Sequence, residues 1–407
     1  MLYVGIDLAE TQPHQVCLMR EDTVVDERRV PNTAAGLRRL LQAITTEEAA
    51  VDAVLIAVER PDTPFVDGLV GAGYTVYAIT PQVMERYRDR VALGGTKPDR
   101  LDARCWAGGV RTDRAAYRPL VPESARTREL RLVTRDLAER EKTQTMRAHQ
   151  LRAALLAACP AAVATFRDRT APSTLGFLRT YPTRDAAQAA SDADLTAVLK
   201  RHGYSRPGRK RPALRQALAP EPLPVDAAVV QAKPWLLTTL AETLLTLAQQ
   251  IRASDQRLKE LFNDHPDRAI FLSRRGAGLR LAARMAAEFG EDRTRFGSAQ
   301  AVAAYAGMAP GTRQSGTSHV AHFRRAGCKP FRETLHPFAF CSLQGNDGAW
   351  ASYPAKRRQG KPHAETLRCL GLIWLRILSA MGRDRVPYNA DRFLEASGRR
   401  REPAPVA

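Results

Sequence analysis

Residues 2–30 hold three short apolar runs separated by polar turns: Leu2 to Leu8, His14 to Arg20 and Thr23 to Val30. None of the gaps is long enough for a crossover helix, so these strands can pair only as an antiparallel meander. A helix is expected from about Thr33 to Ala43, capped by Asn32 or Thr33. A strand follows over 53–58, then a helix from about Thr63 to Ala72 and a strand from Tyr74 to Ile79. Strands alternating with helices run parallel through right-handed crossovers.

Three meandering strands followed by strand, helix, strand is the order of an α/β ribonuclease H-like sheet. In that order the first and fourth strands are neighbours, which places Asp7 and Glu59 side by side at their ends. Asp99 and Asp102, three apart on an expected helix, share one face and can point to the same edge. Pro98 suits the first turn of that helix. Each acid also has a purely structural reading. Asp7 could cap the turn after its strand, Glu59 could pair with Arg60, and Asp99 and Asp102 could be surface acids bridged to Lys97, Arg100 or Arg104. Four carboxylates at one edge are costly unless a cation balances them, and oxygen donors suit Mg²⁺. One or two such ions could flank the oxygens of a phosphoryl transfer.

The chain's 407 residues exceed what one hydrophobic core supports, so two domains and a connector are expected. A formal charge of +19 implies a polyanionic partner, with DNA or RNA favoured over an acidic membrane surface. No apolar run of about twenty residues and no basic-then-apolar leader is present, so a cytoplasmic, nucleoid-associated protein with no membrane partner is expected. The six cysteines lack metal-ligand spacing and read as reduced thiols.

Beyond residue 120 the pattern turns helical. A charged helix is expected from about Glu123 to Ala162. A second runs from about Pro234 to Phe262, with Leu237, Leu240, Leu244, Leu247, Ile251, Leu258 and Leu261 at heptad spacing. These two could close on each other within one chain or form a coiled coil between chains. Between them Lys200 to Arg211 is basic, rich in Gly and Pro, and free of acids. It reads as a linker with Arg206, Arg209, Lys210 and Arg211 available to nucleic acid. A mostly α C-terminal domain should start near residue 266. In Arg275-Gly276-Ala277-Gly278, the glycines Gly276 and Gly278 before a helix suit a phosphate or a tight turn between helices. A polar segment between helices carries Arg313-Gln314-Ser315-Gly316-Thr317-Ser318. A serine there is a nucleophile only if a base or a metal activates it.

Gly5-Ile6-Asp7, Glu59 after its strand, and Lys97-Pro98-Asp99-Arg100-Leu101-Asp102-Ala103 resemble the RuvC-like half of the DEDD-type, bridge-RNA-guided insertion-sequence transposases, the one-ten family. Gly276-Ala277-Gly278, Phe296-Gly297-Ser298, Ala304 to Pro310 and Gln314-Ser315-Gly316 resemble that family's C-terminal transposase domain. The resemblance implies a division into a RuvC-like catalytic domain (1–120), a helical coiled-coil connector with its basic linker near 200–216 (121–265), a C-terminal domain (266–395) and a disordered tail (396–407). It also implies that Asp7, Glu59, Asp99 and Asp102 bind Mg²⁺ and that Ser315 attacks DNA in a dimer or tetramer, guided by an RNA. Lys97, Arg100, Arg104, Arg206, Arg209, Lys210, Arg211, Gly276, Gly278 and Arg313 are the expected nucleic-acid contacts. Glu10 stands where the family often has lysine and adds negative charge close to Asp7. Two other functions are compatible with the residues: a metal-dependent nuclease or junction resolvase that activates water and needs no serine, and an inactive copy that only binds nucleic acid.

Overall fold

The computed structural model describes residues 1–79, 81–91, 99–158, 163, 166, 168–219, 226–274, 277–324, 327–344 and 352–392. Lys97, Gly276 and the tail from residue 393 therefore lie outside the described residues. The chain divides into two compact units, Met1–Glu123 and Ser124–Ala407.

The first unit is built on strands β1 (Leu2–Asp7), β2 (His14–Arg20), β3 (Thr23–Val30), β4 (Val54–Val58) and β5 (Thr75–Ala78), ordered β3-β2-β1-β4-β5. The meander pairs antiparallel, while β1–β4 and β4–β5 are parallel. This is the mixed sheet expected from the strand spacing. Helices α1 (Ala34–Glu47) and α2 (Pro64–Gly71) are capped by the side chains of Thr33 and Thr63, each accepting a backbone N–H three residues on. Two further helices follow, α3 (Pro81–Val91) and α4 (Asp99–Asp113).

The two-residue period of β1 sorts its side chains. Leu2, Val4 and Ile6 are fully buried in a core shared with Leu40, Ile44, Phe65 and Leu69 of α1 and α2. On the other face Cys17 and Met19 of β2 pack with Ala103 and Ala107 of α4, and Leu55 and Ala57 of β4 with Trp106 and Val110. Burial pushes the Cys17 thiol up to about 12, with Glu27 adding to the effect, so it is an inert core group. At Gly5, α4 comes so close that a Cβ would lie 2.0 Å from the Ala103 carbonyl oxygen and 2.4 Å from the Ala107 amide nitrogen.

In the second unit two long helices, α5 (Ala125–Ala158) and α10 (Ala227–Asn263), lie antiparallel. Leu130 and Leu137 near the start of α5 share a core with Ile251, Leu258 and Leu261 near the end of α10. Leu151 and Leu155 pack with Leu237, Leu240 and Leu244. Arg257 donates to Glu129 at 2.8 Å and Arg126 to the Asp264 carbonyl at 2.9 Å, fixing the same direction. The heptad seam is thus packed within the chain, the first of the two arrangements that the spacing left open.

Among the described residues, four shorter helices lie between the pair: α6 (Pro172–Thr180), α7 (Arg184–Ala189), α8 (Asp192–Arg201) and α9 (Pro207–Leu218). The expected basic linker near 200–216 is instead the end of α8, a turn, and α9. Gly203, at φ +80°, lies just past α8 and Pro207 occupies the first turn of α9, while Gly208 and Pro212 lie within that helix.

The rest comprises α11 (Arg268–Leu272), α12 (Leu279–Phe289), α13 (Ala299–Tyr305), the hairpin β6 (Gly311–Ser315) and β7 (Ser318–His322), α14 (Lys329–Cys341), α15 (Ser352–Arg358) and α16 (His363–Asp384). Phe271, Phe289, Phe331, Phe338 and Trp374 fill its core. A bidentate pair from Arg135 to Glu288, both bonds 2.9 Å, ties α5 to α12. No helix among the described residues is long and apolar enough to cross a membrane.

Replacing Gly5 by Ala should force α4 off β1 and cost about 3 kcal/mol or more. Hydrogen exchange should accelerate selectively in peptides covering β1 and α4, while peptides from α5 and α10 keep their protection.

Candidate active site

The parallel register of β1 on β4 pairs Ile6 with Val58, so Asp7 and Glu59 follow side by side. Strand alternation turns both toward the face covered by α4, the face of Gly5 and Ala57. Both carboxylates are half-buried. The contact of Ala103 with Gly5 then sets the first turns of α4, which carry Asp99 and Asp102, over the same face. The backbone thus sets Asp7 beside Glu59 and lays the start of α4 over the same face; the side chain of Asp99 lies outside the described residues.

Their structural readings meet mixed outcomes. Arg60 pairs at 2.8 Å with Glu10, not with Glu59, and also donates to the Leu8 carbonyl. Glu10 therefore has its own cation. Arg104 grips Glu27 of β3 with two nitrogens, which also raises the Arg104 pKa. Asp102 meets Arg88 of α3, which places a guanidinium nitrogen 2.7 Å from its Oδ1, while Lys97 and the Arg100 side chain lie outside the described residues. That contact is close in distance but not directed as a hydrogen bond, and Oδ1 is buried without another hydrogen-bond partner. Spacing could not have revealed Arg88, which sits on a helix that carried no motif.

Among the described residues, no three acidic, histidine or cysteine side chains converge as a metal-holding group. An all-carboxylate donor set with one buried, poorly bonded oxygen nevertheless fits a hard divalent cation in its chemistry. In this arrangement Arg88 supplies the positive charge that Asp102 requires.

Ser315 ends β6, and its cross-strand partner is Ser318. Only Gly316 and Thr317 separate the strands, and Gly316, at φ +55°, supplies the positive backbone angle a two-residue hairpin needs. Directly opposed residues share a face, so Arg313, Ser315, Ser318, Val320 and His322 lie on one side of the ribbon, with Gln314 and His319 on the other. The hairpin is exposed along nearly all its length. The expected polar segment between helices is therefore an ordered projecting ribbon.

The other predicted contacts separate. Arg206 and Arg209 are exposed at the start of α9, whereas Arg211 pairs with Asp192 at 3.2 Å and Lys210 lies 5.3 Å over the Phe166 ring. Gly278 caps α12 with open space where a side chain would stand. Arg100 is on α4, with its side chain outside the described residues.

A mixed α/β sheet with carboxylates at the β1 and β4 ends, followed by a helical unit, fits the ribonuclease H-like domain of a DEDD-type transposase, and the family models match accordingly. The DEDD transposase model named for IS110 matches residues 4–160, and the model described as Transposase IS116/IS110/IS902 family matches residues 268–353. The chain is 31% identical to the Streptomyces coelicolor protein named "Mini-circle putative transposase for IS117", covering 91% of each chain. It is 27% identical to the "Insertion element IS110 uncharacterized 43.6 kDa protein" of the same organism, over 96% of each. It is also 27% identical to the IS900 protein of Mycobacterium paratuberculosis, over 95% of this chain and 97% of that one. The chain belongs to the IS110 family of insertion-sequence transposases, enzymes that act on DNA.

Replacing Arg88 by Met should destabilise the first unit by about 2 kcal/mol, because Asp102 loses its cation in a mostly buried site. Pairing that change with Asp102→Leu should recover most of the loss in urea titrations. Strictly additive losses would show that the two side chains are not coupled.

Proposed function

We propose that this transposase cuts and rejoins DNA through a covalent phosphoserine link formed by Ser315 at a Mg²⁺ site held by Asp7, Glu59, Asp99 and Asp102, with sequence choice delegated to a guide RNA. The observation that carries the reading is the β1–β4 register, which sets Asp7 beside Glu59 on the face spanned by α4. Divalent ions bound there would neutralise the scissile phosphate and lower the pKa of the attacking hydroxyl.

The chain's own residues supply the rest. Asp102 would exchange the Arg88 guanidinium for the ion. The Ser315 oxygen would form a bond to phosphorus while the bond to the 3′-oxygen breaks. The serine proton would pass to solvent, and the leaving oxygen would take a proton from solvent to become a 3′-hydroxyl for strand exchange. An exposed serine hydroxyl with an ordinary pKa is a weak nucleophile, so the ribbon must be delivered to an acidic site before it reacts. In our reading that site belongs to another subunit of a dimer or tetramer, which keeps a lone subunit from cutting. Arg313, on the face of Ser315, would hold the phosphate being attacked. The charge of +19 supports binding of guide RNA and DNA backbones without sequence readout.

The test is a denaturing gel of protein with its element's RNA, Mg²⁺ and end-labelled DNA spanning the element junction. We expect a labelled band at protein mass that disappears in Ser315→Ala, in Asp7→Asn and Asp102→Asn, and on chelation. Ser318→Ala should retain it. Cut DNA free of protein and undiminished in Ser315→Ala would replace this reading with hydrolysis by activated water.

A further inference from the structure

Just past β7 the ring of Phe323 is 47% exposed, yet two guanidiniums lie against it: Arg332 of α14 at 5.2 Å and Arg368 of α16 at 5.3 Å. One and two turns further along α14, at four-residue steps from Arg332, come His336 and Phe340, the latter 50% exposed. Phe340 meets His363 of α16 edge-on at 6.4 Å. His363 in turn meets Tyr353 of α15, with 2.5 Å between its Nδ1 and the tyrosine hydroxyl. These side chains form a strip of rings interleaved with cations, with Phe323, Phe340 and His363 exposed and the others half-buried, spanning about 12 Å along α14. Burial, then Arg368 and His363, hold His336 below its ordinary pKa. Nearby Glu365 is engaged by Lys361.

A merely structural role does not account for this arrangement. Two large rings left half in water gain little from burial, and two guanidiniums on one exposed ring make a basic aromatic surface that suits an anion, Arg332 also donating to the Arg324 carbonyl at 3.3 Å. Alternating rings and cations match a polynucleotide whose bases are unpaired: the rings stack bases and the cations track phosphates. A duplex would offer its phosphates but no free base faces. The strip also continues the β7 strand, whose first residue is the cross-strand partner of Ser315 and lies about 17 Å from Phe323 along an extended strand.

We propose that this strip seats single-stranded DNA beside the serine hairpin, with bases stacked on Phe323 and Phe340 and phosphates on Arg332 and Arg368. The choice of DNA rests on the reading of Ser315 as the group that attacks it. A strand lying here is held unpaired next to the nucleophile, as exchange between two duplexes requires.

The test uses the full chain carrying Ser315→Ala, so that binding is measured without turnover. The probe is a fluorescent DNA single strand containing 5-bromodeoxyuridine, read by anisotropy and by mapping the photocrosslinked peptide. Phe323→Leu should weaken binding roughly tenfold, and Phe323→Tyr should restore it. Arg368→Gln should lower the slope of log affinity against log salt by about 0.7. Trp235→Leu, which removes a ring 74% exposed on α10, should change nothing. Crosslinks should fall in the peptides holding Phe323 or Phe340. The proposal is overturned if they map elsewhere, or if Phe323→Leu with Phe340→Leu binds like the parent while its thermal melt is unchanged. It is overturned equally if RNA of the same sequence competes better than DNA, which would make the strip a guide-RNA seat. Crosslinking here without any protein-linked band in the gel assay would retain the strip and remove the serine mechanism, so the two readings fail separately.

Discussion

The close approach of α4 to β1 at Gly5 is the constraint on which the first unit depends. A central strand is buried on both faces, and here α1 and α2 take one face of the sheet while α4 takes the other. Because β1 carries no side chain at Gly5, the α4 backbone can lie against the strand backbone itself. That contact, made at Ala103, fixes the height at which the preceding turn of α4 meets the end of the strand. Asp102 is thereby placed by packing, one residue before the contact. Asp7 and Glu59 are placed by a different force, the parallel hydrogen-bond register of β1 on β4.

Charge is handled differently in the two units. Around the acids, three carboxylates are held by arginines remote in sequence: Glu10 by Arg60, Glu27 by Arg104 and Asp102 by Arg88. In the second unit the Arg135–Glu288 pair is the most deeply placed of the bidentate contacts, with Glu288 only 3% exposed. Two parallel charge-assisted bonds offset the desolvation of that carboxylate, and their hydrogen bonding raises the Arg135 pKa. This joins the long helix pair to the aromatic core around Phe289 and Phe331, from which the β6–β7 ribbon projects. An exposed two-stranded ribbon needs such a rigid base, since its own strands bury little.

Much of the first unit was legible because short strands obey local rules. The gaps between residues 8 and 14 and between 20 and 23 admit only turns, and the helices over 34–47 and 64–71 announce themselves with Thr33 and Thr63 caps. The heptad leucines of α10 were equally legible as an apolar seam, yet spacing carries no information on whose leucines fill it. Lys200 to Arg211 misled for a related reason: Gly203 and Pro207 read as linker residues and serve as the stop and start of consecutive helices. The serine hairpin gave too short and too polar a pattern to read as strands, because an exposed two-stranded ribbon has no buried face to impose alternation.

The amino-acid order by itself determined the strand sequence of the sheet, the placement of Asp7 and Glu59 at neighbouring strand ends, and the basic character that suits a polyanion. These follow from chain connectivity, two-residue periodicity and charge count, all local or additive properties. Tertiary structure alone decided that Arg88 answers Asp102, that α5 is the partner of the α10 seam, and that Phe323 and Phe340 join Arg332 and Arg368 in one strip. Those pairings bring together residues from separate elements, and which side chains meet is set by how whole faces pack, a quantity that no short window of sequence contains.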